Sequence, residues 1–242
     1  MRAAIFETTI EKIIPLGDDL RHFTLRFKST DHWEHEAGQF VNVIADDIPP
    51  LENGKILKRA YSIASWPSQQ GTLELFWKKV ENGPMTSGNL IHKKEGDKLK
   101  IQGPLGHFTV KQPLPKTIYF VSTGTGFAPF RAMIYDLLEK KADVDLVNLY
   151  GNRYEDQVFY KDDLEKLAAA HPRLKNIMTV SRPKEWKGES RYVQMILKDL
   201  IKPGDSAHVY ICGLTDMILA VEKVAQEVGL KTKESIFFEK YD

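Results

Sequence analysis

The stretch Ile118-Tyr-Phe-Val-Ser-Thr-Gly-Thr-Gly-Phe-Ala-Pro-Phe130 restricts the possible folds more than any other part of the chain. Ile118 to Val121 suit a buried strand, Gly124 and Gly126 permit a sharp turn, and Pro129 falls where the first turn of a helix tolerates a missing N–H. A strand that empties through glycines into a helix start is an anion site, because free N–H groups and the helix dipole both face the loop. Pro129 stands where a Gly-x-Gly-x-x-Gly fingerprint would have its third glycine, so a plain tight connection is the competing reading.

With 42% hydrophobic and 28% charged residues, the 242-residue chain can bury two modest cores. A formal charge of +1 argues against a general nucleic-acid binder. The opening Met-Arg-Ala-Ala-Ile-Phe-Glu-Thr-Thr turns polar too early for a secretory leader, and no apolar run reaches membrane-spanning length, so a cytoplasmic location is expected. The single cysteine, Cys212, excludes an internal disulfide and a cluster held by several thiolates of this chain. His32 and His35 lack a third ligand at a metal-binding spacing and read as residues of a solvated loop; no metal is expected.

Short alternating runs broken by turn residues fill the first part: Ile5 to Ile14, Leu20 to Phe27, Phe40 to Ile44, Arg59 to Ala64, Thr72 to Trp77 and Lys98 to Ile101. They predict an antiparallel β-barrel, interrupted by a short helix over Thr86 to His92 and closed by Gly103-Pro104-Leu105-Gly106. After the linker Gln112-Pro-Leu-Pro115 the rhythm becomes strand and helix in alternation, which predicts an α/β domain on a parallel five-stranded sheet. Strands are expected at 118–121, 145–150, 176–180, 207–211 and 235–238, helices near 128–141, 161–170, 190–200 and 215–228, and domains at 1–112 and 113–242. Ligands then belong at the carboxyl ends of the strands, where Ser122 onward, Gly151-Asn152-Arg153, Ser181-Arg182 and Cys212-Gly213 gather small and polar residues.

In the barrel, Arg59-Ala60-Tyr61-Ser62 ends a strand, with Arg59 and Tyr61 on one face and Ser62 on the other. A guanidinium suits a diphosphate and a tyrosine ring suits a flat heterocycle, although a surface arginine beside a barrel tyrosine would read the same. Gly83-Pro-Met85-Thr86-Ser87-Gly-Asn-Leu90 is a turn into a helix start, whose hydroxyls could meet phosphate oxygens or simply cap the helix.

Taken in order, these motifs resemble those of the ferredoxin-NADP reductase family of flavoenzymes over nearly the whole chain. Arg59-x-Tyr61-Ser62 is similar to its flavin signature, Gly83 to Leu90 to its diphosphate turn and Gly103-Pro104-x-Gly106 to its interdomain hinge. Thr123-Gly124-Thr125-Gly126-x-Ala128-Pro129 resembles its nucleotide loop, and Tyr150-Gly151-x-Arg153 and Cys212-Gly213 its later strand ends. The resemblance implies that Arg59 holds the FAD diphosphate, that Tyr61 stacks beside the isoalloxazine and that Ser62 bonds near the reacting nitrogen. It places the dinucleotide diphosphate on Gly124 to Pro129 and Cys212 beside the nicotinamide, with Ala60, Gly83, Met85, Thr86 and Ser87 lining the flavin site. No base neighbours Cys212, which reads as a positioning group and not a nucleophile.

Ser181-Arg182 with Lys187, Arg191, Tyr192 and Gln194 resembles the plastid-type pattern for a 2′-phosphate and adenine, although Ser190 stands where the family has a lysine. NADPH is therefore expected over NADH. Glu239 and Tyr241 match the family's closing acid and flavin-covering aromatic, with Asp242 an extra residue; Phe237 or Phe238 is expected to pack on the core. Between residues 55 and 100, Lys55, Lys58, Arg59, Lys78, Lys79, Lys93, Lys94, Lys98 and Lys100 stand against Glu74, Glu81, Glu95 and Asp97, a rim that could steer a small acidic ferredoxin or flavodoxin. The expected function is an FAD-dependent reductase between NADPH and such a one-electron carrier. An NADH-dependent reductase component of an oxygenase, a cytochrome reductase and a non-catalytic redox-sensing flavoprotein subunit are the alternatives.

Overall fold

Period-two alternation shapes the part of the chain that ends at Val110. In the computed structural model, which describes residues 3–51 and 53–241, one compact unit runs to Val110 and takes in Arg131–Asp136. The second holds Lys111–Phe130 and the residues from Leu137 onward. Met1, Arg2 and Asp242, on which the leader argument and the extra-residue argument rested, lie outside the described residues.

The first unit is an antiparallel sheet of β1 (Ala4–Pro15), β2 (Leu20–Arg26), β3 (Phe40–Ala45), β4 (Leu57–Ser62), β5 (Thr72–Lys78) and β6 (Lys98–Leu105), in the order β4-β3-β6-β1-β2-β5. Its two edges meet: Ile63 bridges to Leu75, and the Ala64 N–H donates to the Glu74 carbonyl at 2.8 Å. Alternate residues Leu73 and Leu75, Val41 and Val43, and Phe23 and Leu25 face one buried core with Ile10, Ile63 and Ile101. The sheet is thus the expected barrel.

Three local expectations in this unit are corrected. The helix over Thr86 to His92 is a series of turns ending in a 3-10 helix, Leu90–His92, because Thr86 and Ser87 spend their hydroxyls on Val80. Gly103, Pro104 and Leu105 continue β6, and the turn comes at Gly106, with φ +93°. His35 is buried rather than solvated: it accepts a hydrogen bond from Trp33 Nε1 at 3.1 Å and lies 3.2 Å from the Ser65 carbonyl, under the aromatic cluster of Phe6, Phe27 and Trp33. Burial holds its imidazole below the usual histidine pKa.

From Lys111 onward the chain alternates β7 (Thr117–Thr123), α1 (Phe127–Glu139), β8 (Asp145–Asn152), α2 (Lys161–Ala170), β9 (Leu174–Val180), α3 (Val193–Leu200), β10 (Ala207–Gly213), α4 (Thr215–Glu227) and β11 (Ile236–Lys240). All strand pairs are parallel, in the order β11-β10-β7-β8-β9. The chain builds outward from β7 through β8 and β9, then crosses back to β10. A topological switch point therefore lies between β7 and β10, with Cys212 in register beside Ser122. The central strand is buried on both faces, which explains its unbroken apolar run.

α3 starts at Val193, later than expected, because the preceding segment is held in an extended course. Glu189 bridges Thr179, and the Thr179 hydroxyl donates to the Arg191 carbonyl at 2.5 Å. Phe237 stacks on Tyr210 with centroids 4.9 Å apart, whereas Phe238 is 38% exposed, so the core contact falls to Phe237. No helix among the described residues is long and apolar enough to cross a membrane, and none of their His, Cys, Asp and Glu side chains form a group of three that could hold a metal ion.

Candidate functional site

On β4, Arg59 pairs opposite Val43 and Tyr61 opposite Val41, so the two share a face while Ser62, opposite Phe40, is buried on the other. Ala60 and Arg59 are exposed, and an Arg59 Nη1–H donates to the Lys58 carbonyl at 2.9 Å. Tyr61 packs partly against the barrel core, and burial pushes its hydroxyl up to about 12, with the Arg59 charge opposing.

In the turn at Gly83, the Thr86 hydroxyl accepts from the Val80 N–H at 2.9 Å and the Ser87 hydroxyl donates to the Val80 carbonyl at 2.6 Å. Neither caps a helix. The Met85 side chain is buried in the barrel core, so of that residue only the backbone is available to a ligand.

The nucleotide-loop candidates converge after β7. Gly124–Gly126 forms a 3-10 turn that runs directly into α1, and Pro129 occupies the first turn of that helix. Gly124 has φ +55°, and a side chain on Gly126 would put its Cβ 2.2 Å from the Cys212 carbonyl oxygen, so the loop lies directly on the end of β10. A Cβ on Gly213, which has φ +149°, would stand 2.4 Å from Thr123 Oγ1. The buried hydroxyls of Ser122 and Thr123 have no hydrogen-bond partner among the described residues. Thr125 is half-buried on the loop itself. Orphaned hydroxyls at the end of the strand that feeds a glycine loop, at a switch point, suit an oxyanion ligand, and the residues present fit a dinucleotide.

Further along the same strand ends, Gly151 sits where a Cβ would come 2.9 Å from Val193 and 3.4 Å from Thr123, which brings the start of α3 close to the loop. Ser181 and Arg182 extend β9 by donating their N–H groups to the Asn152 and Arg153 carbonyls at 2.9 and 2.8 Å. The Arg153 and Arg182 side chains are exposed, Tyr192 is 61% exposed, and Gln194 is half-buried in the first turn of α3. Arg182 hydrogen-bonds the Tyr154 side chain, which raises its pKa further. Arg191 is engaged: Glu189 takes its Nε–H and Nη2–H at 3.0 and 2.7 Å, and Asp199 takes Nη1–H at 2.6 Å.

Cys212 is fully buried, and burial drives its thiol far above the usual range; a hydrogen bond from the Tyr241 side chain opposes this and the Glu239 charge adds to it. Glu239 lies beside Cys212 in the β10–β11 register. Cys212, Glu239 and Tyr241 thus form one group at the end of β10, and the thiol in it is neutral.

Sequence reasoning gave Ser122 no role of its own, and it did not mark the Glu189–Asp199 clamp or Asn89. The Asn89 side chain is buried, donating to Asp47 at 2.7 Å, with an Oδ1 that has no partner among the described residues. Only the parallel register could expose the first, and only the folding-back of 189–191 the second.

Residues 7–110 match the family described as oxidoreductase FAD-binding domain and residues 120–223 the one described as oxidoreductase NAD-binding domain. Across 251 aligned positions the chain is 35% identical to "Ferredoxin--NADP reductase B" of Sorangium cellulosum (strain So ce56), covering 100% of each. The chain belongs to the ferredoxin-NADP reductase family. This family is one of oxidoreductases with an FAD-binding and an NAD-binding domain. Another relative, "NADH-cytochrome b5 reductase 1" of Candida albicans, is 30% identical over 86% of this chain and 71% of its own. A ferredoxin NADP+ reductase from Neisseria gonorrhoeae, solved with bound FAD and NADP, shares the fold at TM-score 0.83 and 20% identity, covering 98% of each chain.

Proposed function

We propose that this chain is an FAD-dependent reductase that passes electrons between NADPH and a one-electron carrier protein, ferredoxin or flavodoxin. The observation that carries the reading is the glycine loop seated on Cys212, with the buried hydroxyls of Ser122 and Thr123, at the end of the strand that leads into it, unpartnered among the described residues. Bound FAD supplies the exchange between two-electron and one-electron chemistry. Residues 1–112 would hold it, with Arg59 on its diphosphate, Tyr61 against its ring and Ser62 hydrogen-bonding near its reactive edge. The Met85 and Thr86 N–H groups, neither of which donates to another described residue, are better placed to serve that diphosphate than the occupied Thr86 hydroxyl. Residues 113–242 would hold the nucleotide, with Ser181 and Arg182 at its 2′-phosphate and Tyr192 over the adenine. The neutral Cys212 thiol would position the nicotinamide, and Glu239 and Tyr241 would bound the same end of the site. A single buried thiol fits a reducing compartment, and we place the protein in the cytoplasm.

The carrier surface is less basic than the local composition implies. Lys78, Lys93 and Lys100 pair with Asp19, Asp47 and Asp46, acids outside residues 55–100, leaving Lys55, Lys58, Arg59, Lys79, Lys94 and Lys98 as the cations that would steer an acidic carrier. NADH is the second reading, favoured by the clamped Arg191 and by relatives named as NADH-cytochrome b5 reductases. The purified protein should show flavin absorbance. Anaerobic mixing with NADPH should bleach it faster than NADH does, and ferredoxin or flavodoxin should then restore the colour. A colourless protein that takes up no FAD would defeat the reading, and faster bleaching by NADH would replace it with the second.

A further inference from the structure

We infer that Glu189 and Asp199 set the nucleotide preference of this chain by holding the Arg191 guanidinium off the 2′-phosphate of NADPH, which is left to Arg182 and Lys187. The inference rests on the nucleotide site proposed above. Arg191 is fixed at its backbone, because its carbonyl accepts from the Thr179 hydroxyl at 2.5 Å and the Glu189 carbonyl accepts from the Val180 N–H at 3.0 Å. The segment therefore lies against the end of β9, the strand that continues into Ser181 and Arg182.

Each guanidinium nitrogen of Arg191 gives one N–H to a carboxylate of the same unit, three of its five donors. Glu189 is itself preorganised: the Arg191 guanidinium, together with the Arg191 and Ser190 N–H groups that its Oε1 also accepts at 3.0 and 2.9 Å, holds its carboxyl at about 2. One guanidinium with two carboxylates carries a net charge of −1, so a phosphate dianion approaching Arg191 meets a negative cluster and gains no free cation. Arg182 and Lys187 have no ion-pair partner among the described residues. Discrimination for the 2′-phosphate is therefore set by how firmly two acids retain one arginine.

Titration of the FAD-loaded protein with 2′,5′-ADP and with 5′-AMP isolates the 2′-phosphate without any turnover. Asp199→Asn is the cleaner variant, because the described contacts of Asp199 are with Arg191, whereas Glu189→Gln also touches the turn. Each should raise the 2′,5′-ADP to 5′-AMP affinity ratio about two- to fivefold, the range of an exposed ion pair. The gain should vanish in Asp199→Asn combined with Arg191→Ala. Arg191→Ala alone should change the ratio by less than about twofold, and Arg182→Ala should lower it about tenfold, the loss of a charge-assisted bond. A ratio unmoved by Asp199→Asn, or an Arg191→Ala loss equal to that of Arg182→Ala, would overturn the inference while leaving the site intact. Failure of the unaltered protein to bind either nucleotide would instead remove the site and the inference with it.

Discussion

The turn at Gly83 and the loop at Gly124 look alike as sequence, each a glycine-bounded group of hydroxyls before a helix start, yet they are built oppositely. At Gly83 the hydroxyls of Thr86 and Ser87 are consumed in tying the turn to Val80, so any ligand there depends on backbone N–H groups. At Gly124 the hydroxyls of Ser122 and Thr123 are buried and left without partners. In the barrel unit His35 is likewise satisfied internally, between Trp33 and Ser65. A folded unit that spends its polar groups gains stability, and one that leaves them over keeps them for a ligand.

That contrast can be broken at several points. The largest effect is expected in acid and should fall on the barrel. Burial lowers the pKa of His22 from 6.5 to about 4, with Glu74 opposing and Arg131 and Lys12 assisting. The folded state thus resists protonation that the unfolded chain accepts. The His22 contribution is fully present above about pH 6.5 and is lost as pH falls toward 4, a change of about 3 kcal/mol. Urea denaturation across that range should show the loss, and His22→Phe should flatten it; an unchanged slope would place the titrating group elsewhere.

Next in size is a pair of glycine replacements. Gly126→Ala forces a Cβ against the Cys212 carbonyl and should cost about 1–3 kcal/mol with loss of nucleotide binding. Gly83→Ala meets Thr86 and Val80 only at 3.0 Å and should cost about half as much, measured by thermal melts and by NADP+ titration. Smaller still, Thr86→Val should lose about 1 kcal/mol of stability and little nucleotide affinity, whereas Ser122→Ala should be close to neutral in stability and weaken nucleotide several-fold. Equal effects of the two in either assay would abolish the distinction between the turns. The mildest expectation concerns Cys212, whose thiol should resist a disulfide reagent at pH 8 until the protein is unfolded, while Cys212→Ser slows flavin reduction and retains FAD.

Much of the architecture was legible because it rests on local periodicity. β2, β5 and α2 fall within a residue of the expected limits, since a two- or 3.6-residue apolar repeat is written in the chain itself. Thr86 to His92 failed as a helix because two side chains preferred Val80, six and seven residues upstream, to their own turn. His35 was misread because its buried partners, Trp33 and Ser65, have no periodic relation to it. Phe237 and Phe238 could not be told apart until β11 was placed beside β10.

By itself the sequence determined the succession of barrel strands and βα units, the glycine loop after β7 and the residue types offered to an anion, because these depend on neighbours along the chain. Only the tertiary structure decided which of those residues were still available. It spent the Thr86 hydroxyl on Val80, buried the Cys212 thiol, and closed Glu189 and Asp199 on Arg191. The physical reason is that a hydrogen bond or ion pair is formed with whichever partner the fold brings within reach, and that partner can lie anywhere in the sequence.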